Sequence, residues 1–230
     1  MSWRTNTILV ALRSVSRKLG LNRWIASKFS AGYEAAYERE LSAAIKAGDC
    51  LWDVGANVGY YTRLFGERTG TGGRVFAFEP SPVNFSRLSA ACSGQGHIRL
   101  LPCGLGKQDG TCSFQQGSDD LGASSRVTGN SSGGTVVPIR AGDSLVADES
   151  ATAPAVMKID VEGLELEVLK GMPKLLADPR LRVIGIEVHF GILEGIGQAG
   201  APREIENLLR AAGFRFTWPD TSHILAVRKP

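Results

Sequence analysis

The stretch CLWDVGANVG at residues 50–59 decides how the chain folds. Its first five residues, up to Val54, are mostly apolar and predict a buried strand. Gly55 and Gly59 follow, and they permit a sharp turn and the close approach of a ligand because glycine has no Cβ. The residues from Val58 to about Glu67 favour a helix. A strand, a glycine turn and a helix in this order predict the first unit of a parallel α/β sheet.

Strands and helices alternate along the rest of the chain, which predicts a mostly parallel sheet with helices on both faces. Further strands are predicted at 74–79, 98–103, 111–115, 135–140, 155–160 and 183–189, a closing hairpin at 214–218 and 223–227, and helices at 33–46, 82–92, 164–176 and 203–212. The Gly- and Ser-rich residues 117–134 predict a long polar loop, either a lid or a disordered segment. In such sheets ligands bind at the carboxyl ends of the strands, near the point where strand order reverses.

Bulk composition excludes several classes of protein. Of the 230 residues, 43% are hydrophobic and 21% are charged, which is typical of one globular catalytic domain. No apolar run approaches the roughly 20 residues that a membrane-spanning helix needs. The cysteines, of which Cys50 and Cys103 are expected to be buried, lack the spacing of a zinc site or a disulfide framework. We therefore expect a soluble protein of the reducing cytoplasm.

Basic charge is concentrated at the N-terminus, where residues 1–33 hold six basic residues and no acid. The apolar residues of this segment repeat at helical spacing: Ile8, Leu12, Val15 and Leu19. Such a helix could contact an anionic membrane surface, but we favour packing on the domain or on a second subunit, as in a homodimer. We expect residues 1–48 to form a helical extension and residues 49–230 to form the main domain.

Two acids near the first two strand ends predict a nucleoside cofactor. Asp53 stands two residues before Gly55, so the pattern is DxGxNxG and not the GxGxxG of dinucleotide sites. An acid at this point suits a cationic aminoacyl group better than a diphosphate. Glu79 ends the second strand, twenty residues after Gly59, where an acid can accept hydrogen bonds from two ribose hydroxyls.

A third group of charged residues lies at the end of the strand predicted at 155–160. Side chains alternate along a strand, so Lys158, Asp160 and Glu162 fall on one side of the extended chain. We expect this acidic group at the mouth of the site, facing the cofactor and the incoming substrate. Glu165 is interpreted as a first-turn charge that complements the dipole of the next helix.

Five segments along the chain carry a family resemblance: LWDVGANVGYYTRLF, VFAFEPSPVNFSRL, LLPCGLGKQDG, VMKIDVEGLELEVLKGM and VIGIEVHF. In their order and spacing they show a strong resemblance to the FkbM-type methyltransferases. It covers about residues 33–228 and implies a Rossmann-like class I methyltransferase fold with a seven-stranded sheet. It also implies S-adenosylmethionine (SAM) as methyl donor and O-methylation of a hydroxyl on a small molecule or sugar, such as a polyketide or glycan.

The resemblance also implies a set of contacts. The glycine turn would hold the methionine portion of SAM, Glu79 the ribose, and residues 103–105 would lie beside the adenine. The expected cofactor-binding residues are Asp53, Gly55, Ala56, Asn57, Gly59, Tyr60, Glu79, Pro80, Cys103, Gly104, Leu105 and Asp160. Lys158 and Glu162 are the expected substrate-binding residues.

Methyl transfer to an alcohol requires alignment of the acceptor oxygen and a base for its proton. His189 and Glu187 share a face at the end of the strand predicted at 183–189, and they are the candidate bases, followed by Asp160. His97 and His223 are interpreted as surface residues. No metal is predicted, but Mg²⁺ held by the hard ligands of this region is an open alternative, through Asp160, Glu162, Glu187 or His189.

Two other functions use the same topology. An NAD(P)-dependent oxidoreductase is disfavoured by the glycine pattern and by the KIDVEG string. A catalytically silent SAM-binding or scaffold protein is disfavoured because every expected cofactor position is occupied by a suitable residue. Nucleic-acid methylation is not expected, since the basic charge is confined to the N-terminus and no Asn-Pro-Pro-Tyr-like motif occurs.

Overall fold

The computed structural model describes residues 36–115, 126–128 and 135–229. The N-terminal basic segment, for which the sequence predicts a helix, and most of the polar loop predicted at 117–134 lie outside the described residues. Within the described part of the chain, no helix is long and apolar enough to cross a membrane.

The described elements follow the predicted alternation. The helices are α1 (36–43), α2 (Tyr60–Thr69), α3 (Pro82–Ala91), α4 (Gly142–Ala147), α5 (Glu165–Lys170), α6 (Pro173–Ala177), α7 (Phe190–Gly195) and α8 (Ala201–Ala211). The strands are β1 (Cys50–Val54), β2 (Arg74–Phe78), β3 (Ile98–Leu101), β4 (Gly104–Leu105), β5 (Gly110–Gln115), β6 (Arg126–Thr128), β7 (Thr135–Arg140), β8 (Val156–Ile159), β9 (Val183–Glu187), β10 (Phe214–Thr217) and β11 (His223–Arg228).

The main sheet has seven strands in the order β3-β2-β1-β8-β9-β11-β10. Only β11 runs against the others, because it pairs antiparallel with both β9 and β10. This confirms the predicted mostly parallel sheet and its closing hairpin. Strand order reverses between β1 and β8, so the carboxyl ends of these two strands flank the crevice where a ligand is expected.

The sheet is buried on both faces, as its continuous apolar strands predict. Trp52 and Met157 are paired in register on one face and belong to the larger core cluster. Leu51 and Val156, one position earlier on each strand, point to the other face and pack in a cluster with Tyr37 and Leu41 of α1. Residues 36–43 therefore contribute to the core of the sheet.

Leu41 gives a direct measure of that contribution. Its side chain is fully buried, so Leu41→Ala leaves a cavity and is expected to lower the free energy of unfolding by about 2–5 kcal/mol. Urea denaturation measures this change, with the exposed neighbour substitution Glu40→Ala expected to stay within about 0.5 kcal/mol of the parent. A loss at Leu41 as small as the loss at Glu40 would show that α1 contributes little to the stability of the core.

The prediction of one continuous helix at 164–176 was wrong, because this segment forms two helices, α5 and α6. A Cβ on Gly171 would lie 2.0 Å from the carbonyl oxygen of Gly106, so the chain turns where these two backbones meet. Pro173 then begins α6, because proline is suited to the first turn of a helix.

A second sheet of four strands, in the order β4-β7-β5-β6, is formed by the part of the chain between β3 and α4. The added strands predicted at 111–115 and 135–140 are confirmed as β5 and β7, which pair antiparallel. The short elements β4, β6, α4 and α7 were not predicted. Their sequences are too brief to show a clear hydrophobic period.

Candidate active site

The turn after β1 is wound tightly against β8. Gly55, Asn57 and Gly59 all have positive φ angles, of 82°, 49° and 92°. A Cβ on Gly55 would lie 1.8 Å from the backbone oxygen of Asp160. The glycine is therefore required by the approach of two protein backbones at the end of the sheet.

The backbone donors of this turn are engaged by the end of β2. The N–H groups of Gly55 and Ala56 both donate to the carbonyl oxygen of Phe78, at 3.0 Å. These two hydrogen bonds hold the start of the turn against the end of β2.

Glu79 is buried directly beside the turn, with 5% of its surface exposed. Its carboxylate accepts the N–H of Asn57 and the N–H of Ser81, both at 2.8 Å. Burial raises the pKa of Glu79, although these two hydrogen bonds oppose the shift. Each carboxylate oxygen keeps a second lone pair, so it can still accept a hydrogen bond from a ligand hydroxyl.

Lys158 links the ends of β1 and β8. Its ammonium lies 3.5 Å from Asp53 and 3.2 Å from Asp160, and 4.8 Å from the centre of the Tyr61 ring. Burial lowers the pKa of Lys158, but the two carboxylates outweigh burial and hold it above its usual value. Asp53 is also fully buried and accepts the Thr62 hydroxyl at 2.6 Å. Lys158 thus holds the carboxylate of Asp160 from a buried position. This burial argues against the predicted contact of Lys158 with the methyl acceptor.

The other predicted cofactor residues lie around the ends of β2 and β3. Cys103 and Leu105 are buried, and a Cβ on Gly104 would lie 3.7 Å from Pro80, so these two segments adjoin. Tyr60 instead projects to the surface, is 55% exposed and donates to Glu38. The contacts of all these residues with a cofactor remain predictions.

Four side chains converge beyond the ends of β8 and β9. Nε2 of His189 lies 3.6 Å from Asp160, 3.6 Å from Glu162 and 3.8 Å from Glu187. We call these four residues the acid–histidine cluster. All four side chains are partly exposed, between 15% and 33%, so a substrate can reach them.

A metal is not excluded by this arrangement. Asp160, Glu187 and His189 each offer one ligand atom, and these atoms lie within 4.8 Å of one another. The Mg²⁺ alternative therefore stays open, and a metal-free site stays a prediction.

Glu165 lies in the first turn of α5, as the sequence predicts, but it also contacts the site and is not only a charge for the helix dipole. Glu165 is fully buried, and its Oε1 lies 2.7 Å from Nδ1 of His189 and accepts the N–H of Gly163 at 2.9 Å. An ionised carboxylate only accepts, so Nδ1 donates and Nε2 faces the cluster. The available signal was position, since Glu165 follows β8 and His189 follows β9, and neighbouring parallel strands end at the same edge.

Glu162 and His189 both have raised pKa values. Burial raises the pKa of Glu162 to about 7, and Asp160 and Glu187 add to the shift. Burial lowers the pKa of His189, but the hydrogen bond that its Nδ1 donates to Glu165 and the charges of the nearby carboxylates raise it to about 9. At neutral pH, His189 is therefore protonated. Glu162 also has a φ of 51°, a strained conformation of the kind found at functional sites.

The interpretation of His223 as a surface residue was wrong. His223 is buried, its Nδ1 lies 2.8 Å from Asp220, and its ring stacks on Tyr37 at 4.1 Å. Burial lowers its pKa, but Asp220 and Glu187 raise it to about 9. His97 lies at the opposite edge of the sheet, where a ring nitrogen is 3.1 Å from the carbonyl oxygen of Gly66.

Comparison with known proteins identifies the family. Residues 53–216 match the methyltransferase FkbM domain. The chain belongs to the FkbM methyltransferase family. This confirms the resemblance found in the sequence, the methyltransferase class and SAM as the cofactor. The nicotinamide alternative receives no support.

Two relatives that are similar in sequence to this FkbM-family chain have named activities. The hexuronic acid methyltransferase AglP of Haloferax volcanii is 33% identical over 165 residues, which are 71% of this chain and 62% of the relative. The 31-O-demethyl-FK506 methyltransferase FkbM of Streptomyces tacrolimicus is 30% identical over 203 aligned residues. The alignment covers 74% of this chain and 74% of the relative. The chain thus spans less than two thirds of the Haloferax relative.

A solved structure supports the fold. The precorrin-6y C5,15-methyltransferase of Geobacter metallireducens superposes with a TM-score of 0.50 at 11% identity, covering 84% of this chain and 87% of the other. At this identity the likeness concerns the fold alone, and it confirms the predicted class I methyltransferase architecture.

The acceptor atoms around the glycine turn fit SAM, whose ammonium and ribose hydroxyls are donors. Oδ1 of Asn57 is buried without a hydrogen-bond partner, and Oδ1 of Asp53 makes no hydrogen bond but pairs with the Lys158 ammonium at 3.5 Å. Buried acceptors of this kind are costly unless a ligand satisfies them. Together with Glu79, they give the turn acceptors for both the aminoacyl and the ribose portions.

Proposed function

We propose that this FkbM-family chain transfers the methyl group of SAM to a hydroxyl of a small molecule or sugar. The convergence of Asp160, Glu162 and Glu187 on Nε2 of His189 carries the proposal. The cluster offers one cationic hydrogen-bond donor and several hydrogen-bond acceptors. These groups suit a methyl acceptor that carries several oxygens. The named relatives, which act on hexuronic acid and on 31-O-demethyl-FK506, support this class of acceptor.

Glu162 is the proposed base. SAM supplies a methyl group that is already activated by its sulfonium. The acceptor oxygen would form its new bond to the methyl carbon as the bond from that carbon to sulfur breaks, with S-adenosylhomocysteine as the leaving group. The hydroxyl proton would pass to the carboxylate of Glu162, and the product would be a methyl ether. A pKa of about 7 suits this role because an effective base titrates near the working pH.

His189 is proposed as a hydrogen-bond donor to the acceptor, although the sequence favoured it and Glu187 as bases. An imidazole with a pKa of about 9 is protonated at neutral pH and has no lone pair free for a proton. Its Nε2–H can instead hold an oxygen of the acceptor while Glu162 takes the proton. Asp160, kept anionic by Lys158, places negative charge beside the turn proposed to hold the cationic end of SAM.

Calorimetric titration with S-adenosylhomocysteine tests the cofactor site. We expect micromolar affinity for the parent and an affinity at least about tenfold weaker for Glu79→Ala, which loses about 1.4 kcal/mol or more of binding free energy. The exposed substitution Glu67→Ala on α2 serves as a matched control and should bind as the parent does. Binding of NAD instead, or no binding by the folded parent, would reject the proposal.

Acceptor chemistry requires a second experiment. Radiolabelled methyl transfer from SAM to uronic acids, neutral hexosides and macrocyclic alcohols should label one class, and product analysis should show an ether linkage. If the product were a methyl ester of a uronic acid, the protein would still be a methyltransferase, but the proposal that it methylates a hydroxyl would be rejected. A homodimer, a membrane contact of the basic N-terminal residues and a cytoplasmic location stay predictions.

A further inference from the structure

Glu187 lies between two imidazole rings. Its Oε1 is 3.8 Å from Nε2 of His189, and its Oε2 is 3.6 Å from Nε2 of His223. On each ring the other nitrogen meets a buried carboxylate, Glu165 at 2.7 Å for His189 and Asp220 at 2.8 Å for His223. Each carboxylate oxygen of Glu187 thus faces a different histidine, and each histidine is held by its own buried carboxylate.

The two histidines differ in their access to a substrate. The side chain of His189 is 15% exposed and lies at the mouth, whereas that of His223 is 7% exposed and lies behind Glu187. The Tyr37 ring stacks on His223 at 4.1 Å. Asp220 is 4% exposed and accepts the backbone N–H of Ser222 and of His223, both at 2.8 Å. His223 is therefore held by Tyr37, Asp220 and Glu187 and is less accessible than His189.

The backbone fixes the separation of His223 and Glu187. The two residues are direct partners in the antiparallel pairing of β11 with β9. Residues directly opposite one another on paired strands have Cβ atoms about 4.5–5.5 Å apart. The contact is consequently set by strand register as well as by the side-chain torsions.

We infer that His223, anchored by Asp220, is a positioning residue that fixes the carboxylate of Glu187 for methyl transfer. With Oε2 turned towards His223, Oε1 faces His189 and keeps Nε2 of that ring beside Glu162. This inference rests on the proposed function, because it assigns His223 a part in the reaction of the acid–histidine cluster. Nothing in the resemblance or in the named relatives assigns a role to His223 or Asp220.

Two neutral substitutions separate positioning from simple packing. In His223→Gln the amide nitrogen reaches the place of Nε2 and can still donate to Glu187. In His223→Asn it reaches only the place of Nδ1 and can donate to Asp220 but not to Glu187. We expect His223→Gln to retain kcat within about threefold and His223→Asn to lose about 10- to 100-fold, since small misplacement of reacting groups costs up to about 100-fold.

The remaining readouts isolate the effect. Both variants should keep the KM for SAM and the affinity for S-adenosylhomocysteine of the parent, because the glycine turn is untouched. Asp220→Asn, which is isosteric and removes only the charge that anchors Nδ1, should lower kcat about tenfold without changing KM. His97→Gln, at the far edge of the sheet, is the matched control and should retain full kcat.

Each outcome bears on one claim. Equal kcat for the Gln and Asn variants, or a higher kcat for Asn, would overturn the positioning role of His223. If both variants fail to fold, a folded Asp220→Asn with the kcat of the parent would overturn it instead. Failure of the parent to bind S-adenosylhomocysteine or to transfer methyl would reject the proposed function itself, which is measured independently of these variants.

Discussion

Gly55→Ala is expected to abolish binding of S-adenosylhomocysteine and to lower the free energy of unfolding by about 3 kcal/mol or more. The new Cβ would lie 1.8 Å from the carbonyl oxygen of Asp160, and the residue already has a φ of 82°. A backbone oxygen cannot rotate away as a side chain can, so either the turn after β1 or the end of β8 must move. Calorimetry and urea denaturation measure the two effects.

Gly94→Ala separates the steric clash from the backbone strain. Gly94 has a φ of 80°, but no atom lies within 4 Å of the Cβ that alanine would add. We expect a loss of only about 1–2 kcal/mol from the left-handed conformation, with unchanged affinity for S-adenosylhomocysteine. Equal losses at the two glycines would show that the contact between Gly55 and Asp160 does not govern the site.

The pH dependence of kcat/KM is expected to be bell-shaped. Glu162 must be ionised to accept a proton, so activity should rise as the pH increases through about 7. His189 must be protonated to donate to the acceptor, so activity should fall as the pH increases through about 9. Because the two groups interact, the limbs belong to the pair as a whole. Initial rates between about pH 5.5 and 10 would define both limbs.

Variants assign the two limbs. Glu162→Gln should lower kcat about 100-fold or more and remove the acidic limb, because the base is lost. His189→Gln keeps a neutral donor and should remove the alkaline limb. Both should still bind S-adenosylhomocysteine, and Glu194→Gln, an exposed acid on α7, should behave as the parent. An acidic limb that persists in Glu162→Gln and vanishes in His189→Gln would make His189 the base.

The cluster also explains why a histidine can remain protonated inside the site. Three partly exposed carboxylates surround Nε2 of His189, and the buried Glu165 holds Nδ1. The cation offsets part of the repulsion among these acids, which otherwise disfavours ionisation of each one. Glu165→Gln is therefore expected to lower the pKa of His189 at the mouth of the site, although the side chain of Glu165 does not reach the solvent.

The order of the main strands and helices, the family and the charged residues at the strand ends could be predicted from the sequence. Those features are local, because apolar period, glycine turns and strand-end acids are read within short segments such as residues 50–59 and 156–165. The placement of Glu79 beside the turn after β1 also followed, since the carboxyl ends of neighbouring parallel strands meet at one edge of a sheet.

The tertiary structure decided what these residues contact. Gly59 was expected to make room for a ligand, but its absent Cβ would meet the side chain of Leu88 on α3 at 2.8 Å. His223 is buried because β11 lies between β9 and β10 and is covered by Tyr37 of α1, far away in the chain. Lys158 faces inward because Asp53 on the neighbouring strand lies beside it. Burial and ion pairing depend on which strands become neighbours, and short sequence patterns do not contain that information.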